Sequence, residues 1–292
     1  MNCREEINID LLNNYDLIKS KERVTSHGEV LTPEWLVNDM LDLLPKSVSK
    51  INSRYLEASA GEGAFLVEVL RRKLTTIFNM YSEVSDREYY TIVAICNIYG
   101  LELLKDNVEI AKTRLELLIK DFFANQNNIS TSNSFFDIVK MILNINIINM
   151  DSMEFREPIF DDKNQIVIDE KGKLTYKSEW ALISEWEFDN DKKEVKRIEY
   201  YYKDVVNKQR ETYLLKKKEK ELNEISNYNN LIEDDEKEYE AKEKHEQLSL
   251  FTSSSDNVEI KLYEENENIN STLLNPVRVF ESVNYLKLLD LK

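Results

Sequence analysis

Apolar positions alternate between helical spacing and short continuous runs through the first half of the chain. Behind Thr32-Pro33, the residues Trp35, Leu36, Met40, Leu41, Leu43 and Leu44 give a helical apolar face that stops at Pro45. Thr32 is suited to the N-cap and Pro33 to the first helical position. A short strand over 51–56 leads into Glu57-Ala58-Ser59-Ala60-Gly61-Glu62-Gly63, a turn of small residues with two of the chain's five glycines, and a helix over 64–80 follows. Residues 82–97 continue as helix. Ile98-Tyr99-Gly100-Leu101-Glu102 reads as a strand ending in an acid, and 105–123 as a helix with Val108, Ile110, Ala111, Leu115 and Leu118 inward. A polar loop over 125–134 and a helix over 135–143 precede a third strand, 145–150, which again ends in an acid, Asp151.

Strand, helix, strand, helix, strand is the pattern of a parallel sheet in an α/β fold. Ligands of such sheets bind beyond the carboxyl ends of the strands. Glu57, Glu102 and Asp151 are therefore expected to converge on one crevice beside the glycine turn. Glycine at that turn lets a ligand approach the backbone closely.

The pattern loosens after Pro158. Residues 165–174 suggest a hairpin around Glu170-Lys171-Gly172, and 180–188 and 194–202 suggest two further strands, the first occupying the place of a fourth sheet strand. Residues 204–226 are helical in composition and highly charged. Residues 229–246 hold eight acids against three lysines, so they are expected to be solvated and mobile. The order becomes a polar helical lead-in (1–22), a ligand-binding domain (23–203), a charged helix (204–228) and an acidic and polar mobile segment (229–272). An apolar stretch (273–292) closes it and is expected to dock back on the core.

Composition narrows the function classes. A net charge of −16 over 292 residues argues against attachment to nucleic acid by the whole surface. Two cysteines, Cys3 and Cys96, match no metal spacing, and two histidines, His27 and His245, leave little scope for histidine or zinc chemistry. With no apolar run of membrane-spanning length and no signal peptide, the expected setting is the cytoplasm, away from membranes.

The strand-end acids suit a ligand carrying a ribose and an adenine. A carboxylate ending the second strand can accept from both ribose hydroxyls, and one ending the third can accept from an exocyclic amine. Glu102 lies further from the glycines than the roughly twenty residues usual in dinucleotide folds, which requires an insertion at 78–97.

At this point the sequence resembles a known family, the N6-adenine DNA methyltransferases of restriction-modification systems, in particular the amino-terminal half of their M subunits. Gly28-Glu29-Val30-Leu31-Thr32-Pro33 resembles the motif whose threonine–proline pair borders the methionine end of S-adenosylmethionine. Leu56-Glu57-Ala58-Ser59-Ala60-Gly61-Glu62-Gly63-Ala64-Phe65-Leu66 resembles the glycine motif, Gly100-Leu101-Glu102 the ribose-binding strand, and Asn149-Met150-Asp151-Ser152 the adenine-binding strand. The resemblance covers about 23–152. It implies a Rossmann-like class I S-adenosylmethionine-dependent methyltransferase fold with a charged helical, partly mobile C-terminal extension. It assigns the cofactor to Thr32, Pro33, Glu57, Ala58, Gly61, Gly63, Phe65, Glu102, Leu103, Asp151 and Ser152.

The family's catalytic Asn/Asp-Pro-Pro-Tyr/Phe tetrapeptide is missing. The four prolines, Pro33, Pro45, Pro158 and Pro276, are never adjacent. In its place stands Ile183-Ser184-Glu185-Trp186-Glu187-Phe188, where Trp186 offers a ring for a flipped base and Ser184 or Glu185 an acceptor for its amine. No basic target-reading region is evident. Lys216-Lys217-Lys218 with Lys220 is the single basic cluster, and it also reads as the solvated face of a charged helix.

In the tail, Gln247-Leu248-Ser249-Leu250-Phe251 resembles the consensus by which bacterial proteins bind the β sliding clamp. Leu250 and Phe251 would enter the clamp pocket, Leu248 would pack beside them, and Gln247 would bond at its edge. The same peptide can equally dock on the chain's own core. Three readings remain open: an active adenine methyltransferase of DNA, alone or with a partner subunit; a cofactor-binding module that has lost catalysis and is tethered to the clamp; and a methyltransferase of another substrate.

Overall fold

The computed structural model describes residues 25, 31–125, 130–218, 220, 222 and 274–291. The lead-in 1–22, Gly28, the acidic segment 229–272 and the 247–251 peptide lie outside them. The chain divides into two compact units, one of residues 1–203 with 275–292 and one of 204–274. In the second unit the described residues 204–218, 220 and 222 are helical.

The first unit begins with α1 (Glu34–Asp42) and α2 (Pro45–Val48), then β1 (Tyr55–Glu57), α3 (Ala64–Met80), α4 (Val84–Cys96) and β2 (Ile98–Glu102). It continues with α5 (Lys105–Ala124), α6 (Phe135–Asn146) and β3 (Ile147–Asn149). The three strands form one parallel sheet in the order β1-β2-β3, with Tyr55 opposite Ile98 and Gly100 opposite Ile147. The expected βαβαβ order is what forms. Two helices fill each crossover, as expected, and the second helix of the first crossover, α4, lies within the 78–97 insertion that the long spacing to Glu102 required.

Core packing follows the helical spacing. On α3, Leu66, Leu70, Leu74 and Ile77 are fully buried, and on α5 so are Ala111, Leu115, Leu118 and Ile119. Each of these leucines and isoleucines contributes about 1.5–3 kcal/mol by leaving water. Ile110, expected inward, is only half-buried, and Ile119 takes its place. Gly100 lies under α3: a Cβ there would stand 2.7 Å from Leu66 Cδ1, so only glycine lets helix and strand come this close. Lys73 is also fully buried on α3 and donates from Nζ to the carbonyls of Ile51 (3.1 Å) and Ser53. It ties the segment before β1 to the helix after it.

The entry helix differs from expectation. Pro33 is the N-cap and α1 starts at Glu34. Val37 and Leu41 are its buried pair, whereas Trp35 is 65% and Leu43 82% exposed. Seven apolar residues within ten positions cannot all face one side of a helix, and the i, i+4 pair is the one that reaches α3.

A second sheet holds β4 (Leu182–Asp189), β5 (Glu194–Tyr201), β6 (Arg278–Val279) and β7 (Val283–Asn284), with β4, β6 and β7 each antiparallel to β5. The 180–188 strand is thus not a fourth member of the parallel sheet. The four residues between β4 and β5 allow only a hairpin, and a parallel crossover needs a dozen or more. Asp189 closes the turn by accepting from the amides of Asp191 and Lys192, and Lys193 takes a left-handed φ of 52°. The 165–174 hairpin is reduced to isolated bridges, Phe160 with Ile166 and Ile168 with Leu174. Helix α7 follows β5 over 202–218.

The C-terminal stretch packs on the core through Phe280, Tyr285 and Leu288, the last two within a 3₁₀ segment, Tyr285–Asp290. Tyr285 donates its hydroxyl to Glu88 Oε2 at 2.9 Å. The same buried carboxylate also accepts the amide and hydroxyl of Ser132, both at 2.6 Å. Among the described residues, no helix is long and apolar enough to cross a membrane, and no group of His, Cys, Asp and Glu is placed to hold a metal ion.

Candidate functional site

The glycine turn closes over the carboxyl end of β2. Ala60 donates its amide to the Leu101 carbonyl at 2.9 Å, and Gly63 donates to the Ala60 carbonyl at 2.8 Å. Both glycines have left-handed φ, 51° at Gly61 and 78° at Gly63, and their roles separate on sterics. A Cβ on Gly63 would lie 3.0 Å from the Cβ of Ala111, so this glycine serves the packing of α3 against α5. A Cβ on Gly61 would meet only Leu31 Cδ2, at 3.6 Å, so its outer side is open to an approaching group. The Leu31 side chain thus lies beside the glycine turn, with Thr32 and Pro33 next to it in the chain. Arg114 of α5 holds the turn from the helix side, donating from Nη1 to the Glu62 carbonyl at 2.8 Å.

Glu102 is the centre of this arrangement. Its Oε2 accepts the Gly61 amide at 2.7 Å and its Oε1 accepts the Leu104 amide at 3.0 Å, with Asn107 Nδ2 at 3.4 Å. The residue is 7% exposed. These three donors leave about one of a carboxylate's roughly four acceptor sites, so a ribose hydroxyl could still bond to it at the mouth of the turn. Asn149, at the end of β3, donates from Nδ2 to the carbonyls of Glu102 and Leu103, each at 2.9 Å, and so locks β3 to β2. Its Oδ1 is buried without a hydrogen-bond partner. An acceptor left bare beside the strand ends suits an incoming donor such as an exocyclic amine.

The other two acids are placed differently. Asp151 accepts the amides of Met153 (2.8 Å) and Glu154 (3.2 Å) on Oδ1 and the Tyr176 hydroxyl (2.7 Å) on Oδ2. It closes its own loop. Glu57 accepts the Tyr55 hydroxyl at 3.1 Å, and partial burial raises its carboxyl above the usual range. Each carboxylate thus has its own partners, and Glu102 alone is bonded to the glycine turn. Ala58 is exposed, whereas Phe65, Leu103 and Ser152 are half-buried. A separate small cavity lies between α1 and α3, lined by Glu34, Val37, Ala64, Glu68, Arg71 and Arg114, and none of the strand-end acids reaches it.

The residues expected to replace the catalytic tetrapeptide have structural partners instead. Trp186 is 3% exposed, and its indole Nε1 donates to Asn146 Oδ1 of α6 at 3.1 Å. Its ring is an anchor of the hairpin in the core and offers no face to a flipped base. Ser184 is buried and accepts from Arg197 Nε at 2.9 Å. Glu185 pairs with Arg54. Alternation along 180–188 marks which residues face inward but not against what, so a core tryptophan resembles a stacking one.

Asn149 Oδ1 and the backbone amides of Gly61 and Leu104 have no sequence signature as site groups. Amide donors are supplied by every residue except proline, and only the turn geometry aims them. A scan against protein-family models gives no match, and no curated protein and no solved structure is similar to the chain.

Proposed function

We propose that residues 31–152 bind S-adenosylmethionine in the manner of N6-adenine DNA methyltransferases, and that the chain is catalytically incomplete alone. The observation that supports this most is the 2.7 Å bond from the Gly61 amide to Glu102, which sets a buried carboxylate against an open glycine at the end of a parallel sheet. The fit is to a nucleoside: Glu102 retains acceptor capacity for a ribose hydroxyl, and Asn149 Oδ1 is an acceptor without a donor. When bound, the cofactor would supply an activated methyl group. The chain's own part is to hold it, with Thr32, Pro33 and Gly61 around the turn and Glu102, Leu103, Asn149 and Ser152 at the strand ends, Asp151 supporting them through its own loop.

An active site over Ser184–Phe188 is disfavoured, because Ser184, Glu185 and Trp186 are each committed to other protein groups. Methyl transfer then calls for a partner that brings an adenine-binding loop, and DNA with it. The 247–251 peptide, Gln247, Leu248, Leu250 and Phe251 in particular, is proposed as a tether to the β sliding clamp. A tritiated-methyl transfer assay on unmethylated DNA tests the incompleteness: no turnover by the chain alone is expected, and clear turnover overturns it. For the tether, clamp pull-down should fail when Gln247, Leu250 and Phe251 are all replaced by alanine, and equal capture by that variant removes the clamp from the account.

A further inference from the structure

We propose that Arg156, Trp180 and Lys203 form a phosphate-binding site, independent of the cofactor crevice. After β3 the chain reverses at Phe155, which takes a left-handed φ of 59° that a bulky side chain rarely adopts. Such strain persists only where its surroundings hold it. Here the Phe155 carbonyl accepts the Ala181 amide at 2.9 Å, and the Ala181 carbonyl accepts the Tyr202 amide at 2.9 Å. The Phe155 ring packs edge-on against Tyr202. Three segments distant in sequence are thus fixed in a row with 180–181 in the middle.

Beside that row stand Arg156, Trp180 and Lys203. The Arg156 guanidinium carbon is 3.8 Å and the Lys203 Nζ 3.9 Å from the Trp180 ring centroid. The indole satisfies neither cation's donors, because a π face attracts charge without accepting directional bonds. Among the described residues no side chain forms a hydrogen bond or ion pair with either, and Arg156 Nε is buried without an acceptor. This sets them apart from other partly buried cations of the chain. Arg72 pairs with Asp42 and Glu68, Lys193 with Asp86, and Arg197 with Glu199.

A chain with 55 acids and 39 basic residues has carboxylates to spare, yet none is set against this pair. Two cations pre-positioned on one rigid indole, one of them with a buried unanswered N–H, call for an external anion. A guanidinium fork beside an ammonium point charge suits phosphate, whose several oxygens accept from both. Phosphate borne by a small molecule and the phosphodiester backbone of a single strand share that chemistry.

The test uses the full chain and the emission of Trp180, titrated with inorganic phosphate in one arm and a short single-stranded oligonucleotide in the other. Saturable change is expected in at least one arm, absent from Trp180→Phe, and weakened about tenfold or more by Arg156→Gln and by Lys203→Gln. In the oligonucleotide arm, each of these two variants should lower the slope of log affinity against log salt by about 0.7. Saturation by inorganic phosphate marks a free phosphate as sufficient, and saturation by the oligonucleotide alone marks the phosphodiester. Arg156→Gln should melt close to the parent, since the lost contact with the Trp180 ring is offset by removal of the unanswered Nε. Binding in neither arm, or variants that bind like the parent, overturns the proposal. So does a lowered melting temperature in Arg156→Gln with parental binding in Lys203→Gln, which identifies a purely structural clamp.

Discussion

The two glycines of the turn have different tasks at the scale of single residues, and substitution should separate them. Alanine at Gly61 makes only an ordinary contact with Leu31 and costs chiefly its left-handed backbone, about 1–2 kcal/mol. Alanine at Gly63 adds a 3.0 Å approach to Ala111 and is expected to lower the melting temperature further. Gly61→Ala should therefore melt closer to the parent than Gly63→Ala does while losing cofactor binding; chemical denaturation and calorimetry together read both effects. Glu102→Ala leaves the Gly61 and Leu104 amides unanswered and should cost about 2–3 kcal/mol.

Lys73 carries a pH signature. Burial lowers its pKa from 10.5 to about 7, so between these values the unfolded chain binds a proton that the folded chain does not. This contribution makes stability rise with pH from about 7 towards 10.5, by at most about 1.4 kcal/mol per unit. The neutral amine keeps its donors for Ile51 and Ser53. Comparing the chain with Lys73→Met across that range should show the variant's profile flatter by one proton; equal slopes would refute the assignment.

Elements are where sequence and structure agree best and where they part. Helix α3 starts and ends at the expected residues, because the glycine turn fixes one end and the apolar spacing carries it to Met80. The parallel orientation of β1, β2 and β3 follows from the long helical crossovers between them, which return the chain to the same end of the sheet. Strands β4 and β5 were equally legible as strands, but alternation does not say which sheet a strand joins. Trp186 shows what that hides. Trp186→Phe keeps most of the buried area but leaves Asn146 Oδ1 bare, for a cost of about 1–3 kcal/mol with no change in ligand binding. A base-stacking role would instead reduce binding and spare stability.

The strand-end acids were legible as positions and not as partners. The sequence places Glu102 and Asp151 after their strands, but only the folded loop turns Asp151 to its own amides and Tyr176. The return of the C-terminal stretch was foreshadowed by its apolar residues, whereas its attachment through Glu88 depends on a carboxylate that looks like an ordinary helix acid. Tyr285→Phe removes one of that carboxylate's three donors and should cost about 1 kcal/mol, read by denaturant unfolding.

For the whole molecule, a parallel sheet with a glycine turn and one buried carboxylate at its edge is the frame on which the proposed nucleoside site rests. The acidic charge of the chain agrees with recruitment by specific contacts rather than by general attraction to nucleic acid. The most direct test is isothermal calorimetry of S-adenosylmethionine with the full chain and with Glu102→Gln, each verified as folded by its thermal transition. Saturable one-to-one binding by the parent, weakened about tenfold or more in the variant, is the expected result. A folded parent that gives no binding, or a variant that binds equally well, would contradict the account.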